Sequence, residues 1–517
     1  MQLTISFDAS GDRSLQTQLF EQIRGMIIRG RLKALDPIPA SRELSEQLGV
    51  SRNTVVLAYE RLLAEGYIES RQSVGTFVSA CIPETGLYLD RSKRKISPDN
   101  SQRERIPQDH GIVFKGRAQC MLNPCQDQIE FDFWAGRPDA KLFPLKIWRR
   151  IINRNLLQAG SDLTNYHDPQ GNFALRQAIA DHLGPARGIT ATPEQVIIVN
   201  GIQDGLSLLA NLLVAESFPV VLENPCYQGA AYVFESRQAE VFPVNVDRNG
   251  LVVADLPEVE HSIAYVTPSH QYPTGVTLSL ERRISILEWA FRTRSYVIED
   301  DYDSDFRYNG SPLTALKGLD THGSVIYLGT FSKCMGAALR LGYIVVPKEL
   351  VKPARTLKAL RSSGQPWLEQ IAMAEFMESG AFTRHLRRIR QTYLERRDHL
   401  VQELHRQFGD VTLAGLDGGM HFVWQLPSNW PTADEVSARA LGEGVGVYST
   451  NNGAACMPGS KANGDRCLVL GYCPLSEAEI TEGVRRLGKI LPKAEKGAYC
   501  AVSQSYSHPG NSTTGTG

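Results

Sequence analysis

The sequence has no C-x-x-C pair, no apolar run long enough to cross a bilayer and no excess of either charge, and each absence removes a class of protein. Nine cysteines fall at 81, 120, 125, 226, 334, 456, 467, 473 and 500, an odd number at irregular spacing. That distribution speaks against a disulfide framework or a zinc site, so reduced thiols and no metal centre are expected. Lys plus Arg number 55 against 56 Asp plus Glu, and the net charge of −1 gives no global attraction to nucleic acid or to a membrane. Any site for a polyanion must therefore be local. The amino terminus, MQLTISFDASGDRSLQ, carries acids and lacks the apolar core of a signal peptide. A soluble, cytoplasmic protein without membrane partners is the expectation.

What the chain does have is length and clear changes of pattern. At 517 residues it exceeds one compact core, so several domains are expected. In residues 13–80, SLQTQLFEQIRGMIIRG places Leu15, Leu19, Ile23, Met26 and Ile27 at helical spacing. PASRELSEQLG follows with Ser41 as a cap and Gly49 as a stop, and SRNTVVLAYERLLAEG with Ser51 and Gly66 in the same roles. Two helices on so short a turn predict a helix-turn-helix. YIESRQSVGTFVS, β-rich on either side of Gly75, predicts a two-stranded wing.

Residues 81–128 carry RSKRK, SPDNSQRER and scattered prolines without periodicity, and read as a linker. From 129 to 494, the runs VIIVN, PVVLE, SIAYVTP, YVIEDD and SVIYLGT alternate with amphipathic helical stretches. That alternation predicts an α/β domain with a mostly parallel sheet. The Gly/Ser/Thr-rich stretch 495–517 reads as a disordered tail.

Lys333 follows the strand-like run SVIYLGT after Phe331 and Ser332, at a strand end where open α/β sheets bind ligands. Thr330, Ser332 and Arg340 flank it, two hydroxyls and a guanidinium suited to a phosphate. An amine beside a phosphate site suggests a Schiff base with pyridoxal phosphate. That cofactor needs a carboxylate at its ring nitrogen, and Asp300 in YVIEDDYDSDFRY stands at the end of a preceding strand. VNGIQDGLSLLANLL predicts a Gly201 turn into a helix whose amino end can face a phosphate. Tyr227 in ENPCYQG is placed to stack on a ring, and His270, Gln271 and Tyr272 in TPSHQYPTG offer polar groups for a phenolic oxygen.

These stretches, above all EDDYDSDFRY, GTFSK…LRLGY and SRNTVVLAYERLLAEGY, carry a resemblance. The segment 129–494 resembles fold-type I aminotransferases and residues 13–80 resemble GntR-type winged helices. Joined in this order, they resemble the MocR-type, GabR-like branch of GntR transcription regulators. The resemblance implies Lys333 as the Schiff-base lysine, Asp300 at the pyridine nitrogen, Tyr302 near the phenolic oxygen and Tyr227 as the stacking ring. It places Thr330, Ser332, Arg340, Gly201, Ile202 and Gln203 at the phosphate. Tyr166 matches a tyrosine that reaches the phosphate of the other subunit, which implies a head-to-tail homodimer. Arg42, Arg52, Thr54 and Gly75 are the implied contacts to double-stranded operator DNA.

The chain also departs from that pattern. Aminotransferases of this kind carry a carboxylate-clamping arginine in a run such as R-L-G-F, and here CLVLGYC puts Val469 in its place. Arg466 lies three residues earlier, on the opposite face of an extended strand. Cys334 beside Lys333 reads as a packing residue. Residues 1–80 hold nine Lys/Arg and nine Asp/Glu, so DNA affinity is expected to depend on dimerisation and on a local basic face, with Arg91, Lys93, Arg94 and Lys95 of the linker adding to it. The expected function is transcription regulation with the cofactor domain sensing a small amine, an amino acid or pyridoxal phosphate itself, without physiological turnover. The alternative is an active aminotransferase with an accessory DNA-binding domain.

Overall fold

A computed structural model describes residues 3, 5–7, 14–71, 75–80, 116–117, 129–308, 313–450, 454–458 and 466–492. The tail, and the linker with Arg91, Lys93, Arg94 and Lys95, fall outside the described residues except for Gly116 and Arg117. The chain divides into two units, residues 1–110 and 111–517.

In the smaller unit the helix Leu15–Ile28 buries Leu19, Phe20, Ile23, Met26 and Ile27. Leu15 sits in its first turn and stays exposed, outside the stripe that its spacing predicts. Helix Ser41–Leu48 begins after Ala40, with no side-chain cap, so Ser41 is its first residue and not the cap. Gly49 ends this helix at φ +64°, a conformation that suits glycine. Ser51 does cap the next helix, Arg52–Ala64, by accepting from the Thr54 N–H at 3.1 Å. Leu44, Val55, Ala58 and Leu62 pack with Leu3 and the first helix into one core.

The expected two-stranded wing has a third strand. Ile68–Arg71 pairs with Gly75–Val78, and Pro37–Ile38 adds to the far side of Gly75–Val78. A strand of two residues is too short to show a period in sequence. Tyr59 fastens this strand to the helices, its hydroxyl donating to the Pro39 carbonyl at 2.9 Å.

The larger unit is built on an eight-stranded sheet. Its spatial order is Val196–Val199, Gly342–Val345, Val325–Thr330, Tyr296–Asp301, Ile263–Val266, Pro219–Asn224, Glu240–Asp247 and Gly250–Leu251. The pairings from 325–330 through to 240–247 are parallel, and those at both ends are antiparallel. The central strands are buried on both faces, which is why they read as continuous apolar runs. Alternation sends Val196 and Ile198 into one core and Ile197 and Val199 into another. A smaller antiparallel sheet contains His421–Gln425, Cys467–Gly471 and Tyr448–Ser449.

Candidate functional site

The carboxyl ends of the parallel strands converge on one place. Asp300 is the penultimate residue of its strand, Thr330 the last of the neighbouring one, and Lys333 lies in the π-helical turn Ser332–Gly336 that follows. The Lys333 amine donates to the Gly136 carbonyl at 3.0 Å. Gly136 has φ +79°, and a Cβ there would lie 2.6 Å from Lys333 Nζ, so only glycine allows this approach. Burial lowers the Lys333 pKa, and the Asp303 and Asp300 carboxylates partly oppose that.

Asp300 is buried, and its Oδ2 accepts from the Tyr265 hydroxyl at 2.6 Å. Its Oδ1 is buried without a hydrogen-bond partner among the described residues. Burial pushes this carboxyl up to about 7; the Tyr265 hydrogen bond and Lys333 pull it down, and Asp301 pushes it up. An unpartnered carboxylate oxygen next to an amine is a fitting place for a cationic ring nitrogen.

Gly201, at φ +92°, turns the strand Val196–Val199 into the helix Ile202–Leu213. A Cβ at Gly201 would meet both terminal nitrogens of Arg340 at 3.6 Å and Ser332 Oγ at 3.8 Å. Thr330 Oγ1 donates to Ser332 Oγ at 3.0 Å. The missing side chain thus leaves a notch lined by a guanidinium, hydroxyls and the amino end of a helix, which is the donor set that a phosphate needs.

Aromatic and polar side chains close the space between. Tyr227 donates to Gln203 Oε1 at 3.2 Å and stands edge-on to Tyr272. Burial raises the Tyr227 pKa, so its hydroxyl stays protonated. Tyr302 donates to the His270 carbonyl at 3.0 Å, and His270 Nδ1 lies 2.9 Å from Asp303 Oδ2. His421 stacks obliquely on His270 with ring centres 4.7 Å apart, and its Nε2 donates to the Pro273 carbonyl at 3.1 Å. His270, Asp303 and His421 are close enough together to surround an ion, although these hydrogen bonds already occupy His270 Nδ1 and the Asp303 carboxylate.

Lys333, Asp300, Tyr302, Tyr227, Thr330, Ser332, Arg340, Gly201, Ile202 and Gln203 are thus gathered at the strand ends. Other expectations differ. Gln271 turns away, its amide donating to Glu223, Pro225 and Tyr272 and its carbonyl accepting from Thr274, so it ties its loop to the end of the strand Pro219–Asn224. Tyr166 is 92% exposed and makes no hydrogen bond to the described residues. Cys334 is buried, with its thiol on the Phe331 carbonyl. Val469 is buried, while Arg466 donates to the carbonyls of Pro427 and Trp430 and is committed there. Gly136, Tyr265 and Asp303 belong to the site and were not among the expected residues.

In the smaller unit, Arg52 opens the helix Arg52–Ala64, exposed and without an ion pair among the described residues. Arg42 is exposed with Glu46 3.9 Å away. The Thr54 hydroxyl is hydrogen-bonded to Ser51 Oγ at 2.8 Å, and Gly75 begins its strand at φ +134°. Among the described residues no helix is long and apolar enough to cross a membrane.

Comparison with known proteins agrees with this geometry. Residues 15–78 match the bacterial regulatory proteins of the gntR family, and residues 133–487 match aminotransferase class I and II. The chain is 34% identical over 504 residues to the probable rhizopine catabolism regulatory protein MocR of Rhizobium meliloti, covering 97% of this chain and 99% of that one. It is 31% identical over 494 residues to the uncharacterized HTH-type transcriptional regulator YdeL of Bacillus subtilis, covering 94% and 99%. Among solved structures, the Thermus thermophilus α-aminoadipate aminotransferase LysN, complexed with N-(5'-phosphopyridoxyl)-L-leucine, superposes with a TM-score of 0.63 at 28% identity, over 72% of this chain and 95% of that one. The chain therefore belongs to the MocR-type GntR transcription regulators, in which a DNA-binding helix-turn-helix unit precedes an aminotransferase-like domain whose implied cofactor is pyridoxal phosphate.

Proposed function

We propose that this regulator binds pyridoxal phosphate at Lys333 and responds to a small amine, an amino acid or the cofactor itself by changing its affinity for operator DNA. The supporting observation is the meeting, at one set of strand ends, of a half-buried amine, a half-satisfied buried carboxyl and the notch at Gly201. When bound, pyridoxal phosphate supplies an aldehyde that condenses with amines and a ring that withdraws electrons.

Lys333 is the nucleophile toward that aldehyde, because its lowered pKa leaves more of the neutral amine at a given pH. The Gly136 carbonyl orients the amine, and Asp300, with Oδ1 unpartnered, would hold a proton at the ring nitrogen. Tyr227 would pack on the ring and Tyr302 would donate to the phenolic oxygen. Arg340, Ser332, Thr330 and the helix end at Gly201, Ile202 and Gln203 hold the phosphate. Exposed Tyr166 is assigned to the phosphate of the second subunit in a head-to-tail homodimer. Arg42, Arg52, Thr54 and Gly75 are assigned to DNA.

Val469 brings no charge to the ligand and Arg466 donates to carbonyls, so neither supplies the carboxylate clamp that an aminotransferase carries on this strand, and turnover is left to the test. The ligand then acts by its differential affinity for two states of the protein. The test is a visible absorption titration of the cofactor-loaded protein with a panel of amino compounds, beside binding to DNA selected in vitro and Lys333→Ala as control. A band that shifts and then holds, with a parallel change in DNA affinity, supports sensing. Conversion of the cofactor to its aminated form and turnover with a keto acid would establish the aminotransferase reading instead.

A further inference from the structure

Residues 133–135, which lead into Gly136 and Arg137, run against Gly471 at the end of the strand Cys467–Gly471. The Gly471 N–H donates to the Phe133 carbonyl at 2.8 Å, and a Cβ at Gly471 would stand 2.4 Å from the Trp134 carbonyl oxygen. Val469 shares the face of Gly471 by strand alternation, whereas Leu468 and Leu470 point into the large core. Opposite Val469 in the antiparallel ladder is Tyr448. Its hydroxyl donates to Asp132 Oδ1 at 2.6 Å, and Asp132 Oδ2 accepts from Arg137 Nη1 at 2.7 Å. Trp134 stands edge-on to Tyr448 at 4.6 Å, and the Arg137 guanidinium lies over the Trp134 ring at 5.2 Å.

The guanidinium is therefore fixed by a carboxylate and an indole, next to the face that Val469 leaves uncharged. Its Nη2 is buried and has no hydrogen-bond partner among the described residues. Buried donors without a partner are rare and point to something that completes them. Arg137 also directly follows Gly136, whose carbonyl carries the Lys333 amine at 3.0 Å. We propose that Arg137 holds the carboxylate of the ligand whose amine reaches Lys333, so that the ligand class is an amino acid and not a simple amine.

This rests on the reading of Lys333 as the cofactor lysine and narrows its ligand. A planar carboxylate matches the fork of a guanidinium, and a ligand without one leaves the buried Nη2 unpaired. Discrimination against simple amines then follows, because a site built around a hydrogen bond rejects the analogue that lacks it.

The experiment uses the full chain loaded with pyridoxal phosphate and compounds in pairs: alanine with ethylamine, and γ-aminobutyrate with propylamine. Expected for the unaltered protein is a shift of the cofactor band by the carboxylate-bearing member of a pair at a concentration at least about tenfold lower than by its partner. In Arg137→Met that preference falls about tenfold or more, and Arg137→Lys, with charge but no fork, gives an intermediate ratio. The ratio within a pair is read because general damage to the fold weakens both members alike. If Arg137→Met does not fold, Arg137→Lys and Arg137→Gln carry the same comparison. An unchanged ratio in the variants, or equal binding of both members by the unaltered protein, overturns the assignment. Failure of the underlying reading shows earlier and differently, as no Lys333-dependent cofactor band before any amine is added.

Discussion

Tyr265 donates its hydroxyl hydrogen to Asp300 Oδ2 across 2.6 Å, between two adjacent parallel strands and out of contact with water. The bond fixes one carboxyl oxygen and leaves the other, Oδ1, aimed at no protein donor among the described residues. The group is caught between opposing influences: burial and Asp301 favour the neutral acid, Tyr265 and Lys333 the carboxylate. The result is an acid near pH 7 that a ring nitrogen can turn into a stable partner. Function and stability therefore pull in opposite directions at this residue.

Asp300→Asn makes that opposition measurable. The Asp300 carboxyl is raised to about 7 in the folded protein, against about 3.9 for a free aspartate. Between those values the folded state binds the extra proton, so stability falls as pH rises through the window. Cofactor-free Asp300→Asn should gain on the order of 1–3 kcal/mol over the unaltered protein at pH 8 and nothing near pH 4. Glu223, also pushed up to about 7 by burial, adds the same slope to both proteins and cancels in the comparison. Denaturant melts at the two pH values check it, and the variant should lose cofactor affinity at both.

Tyr265→Phe keeps the ring in the core and removes only the hydrogen bond. Asp300 then loses the bond that favours its ionised form, and its pKa rises further. A hydrogen bond to a charged group contributes about 1.5–3 kcal/mol, so cofactor affinity should fall roughly tenfold to a hundredfold. Titration of the cofactor by fluorescence quenching is the measurement. Unchanged affinity would show that Tyr265 only packs.

Gly136→Ala tests the seat of the lysine. Alanine at φ +79° costs about 1–3 kcal/mol in backbone strain, and its methyl would lie 2.6 Å from Lys333 Nζ. The amine must leave the Gly136 carbonyl, so the Lys333-dependent cofactor band should form several-fold more slowly and to a lower extent in a stopped-flow experiment. Normal loading would mean that the close approach has no bearing on Lys333.

The residues legible in the sequence share one property: each polar group stands at the end of an apolar run. Lys333 after SVIYLGT, Asp300 after YVI and Gly201 after VIIV are visible because a buried strand must stop before polar side chains begin. Gly136 is 197 residues away from Lys333 and contributes a backbone carbonyl, which any residue type possesses, so no side-chain pattern announces it. Tyr265 lies inside SIAYVTP and reads as one more core aromatic. Gln271 looks like a ligand group until its hydrogen bonds to Glu223, Pro225, Tyr272 and Thr274 are seen. Ser41 fails as a cap because the chain enters the helix one residue earlier, at Ala40.

In the smaller unit, Ser51 caps the helix Arg52–Ala64, and Arg52 is its first residue. Arg52 is exposed and free of ion pairs among the described residues, whereas Thr54 spends its hydroxyl on Ser51. A guanidinium there can read a base edge or hold a phosphate, and the two roles separate under salt. If it reads a base, Arg52→Ala lowers affinity for selected DNA by about 1–3 kcal/mol and leaves random DNA nearly unaffected. If it holds a phosphate, both affinities fall together and the dependence of log affinity on log salt loses about one unit of slope. The first outcome is expected, because in a helix-turn-helix the amino-terminal side chains of the second helix meet the bases. Ser51→Ala is the control: losing the cap costs about 1 kcal/mol of stability without removing a DNA-contacting group. A drop in sequence preference in Ser51→Ala as large as that in Arg52→Ala would move the specificity from the arginine to the placement of the helix.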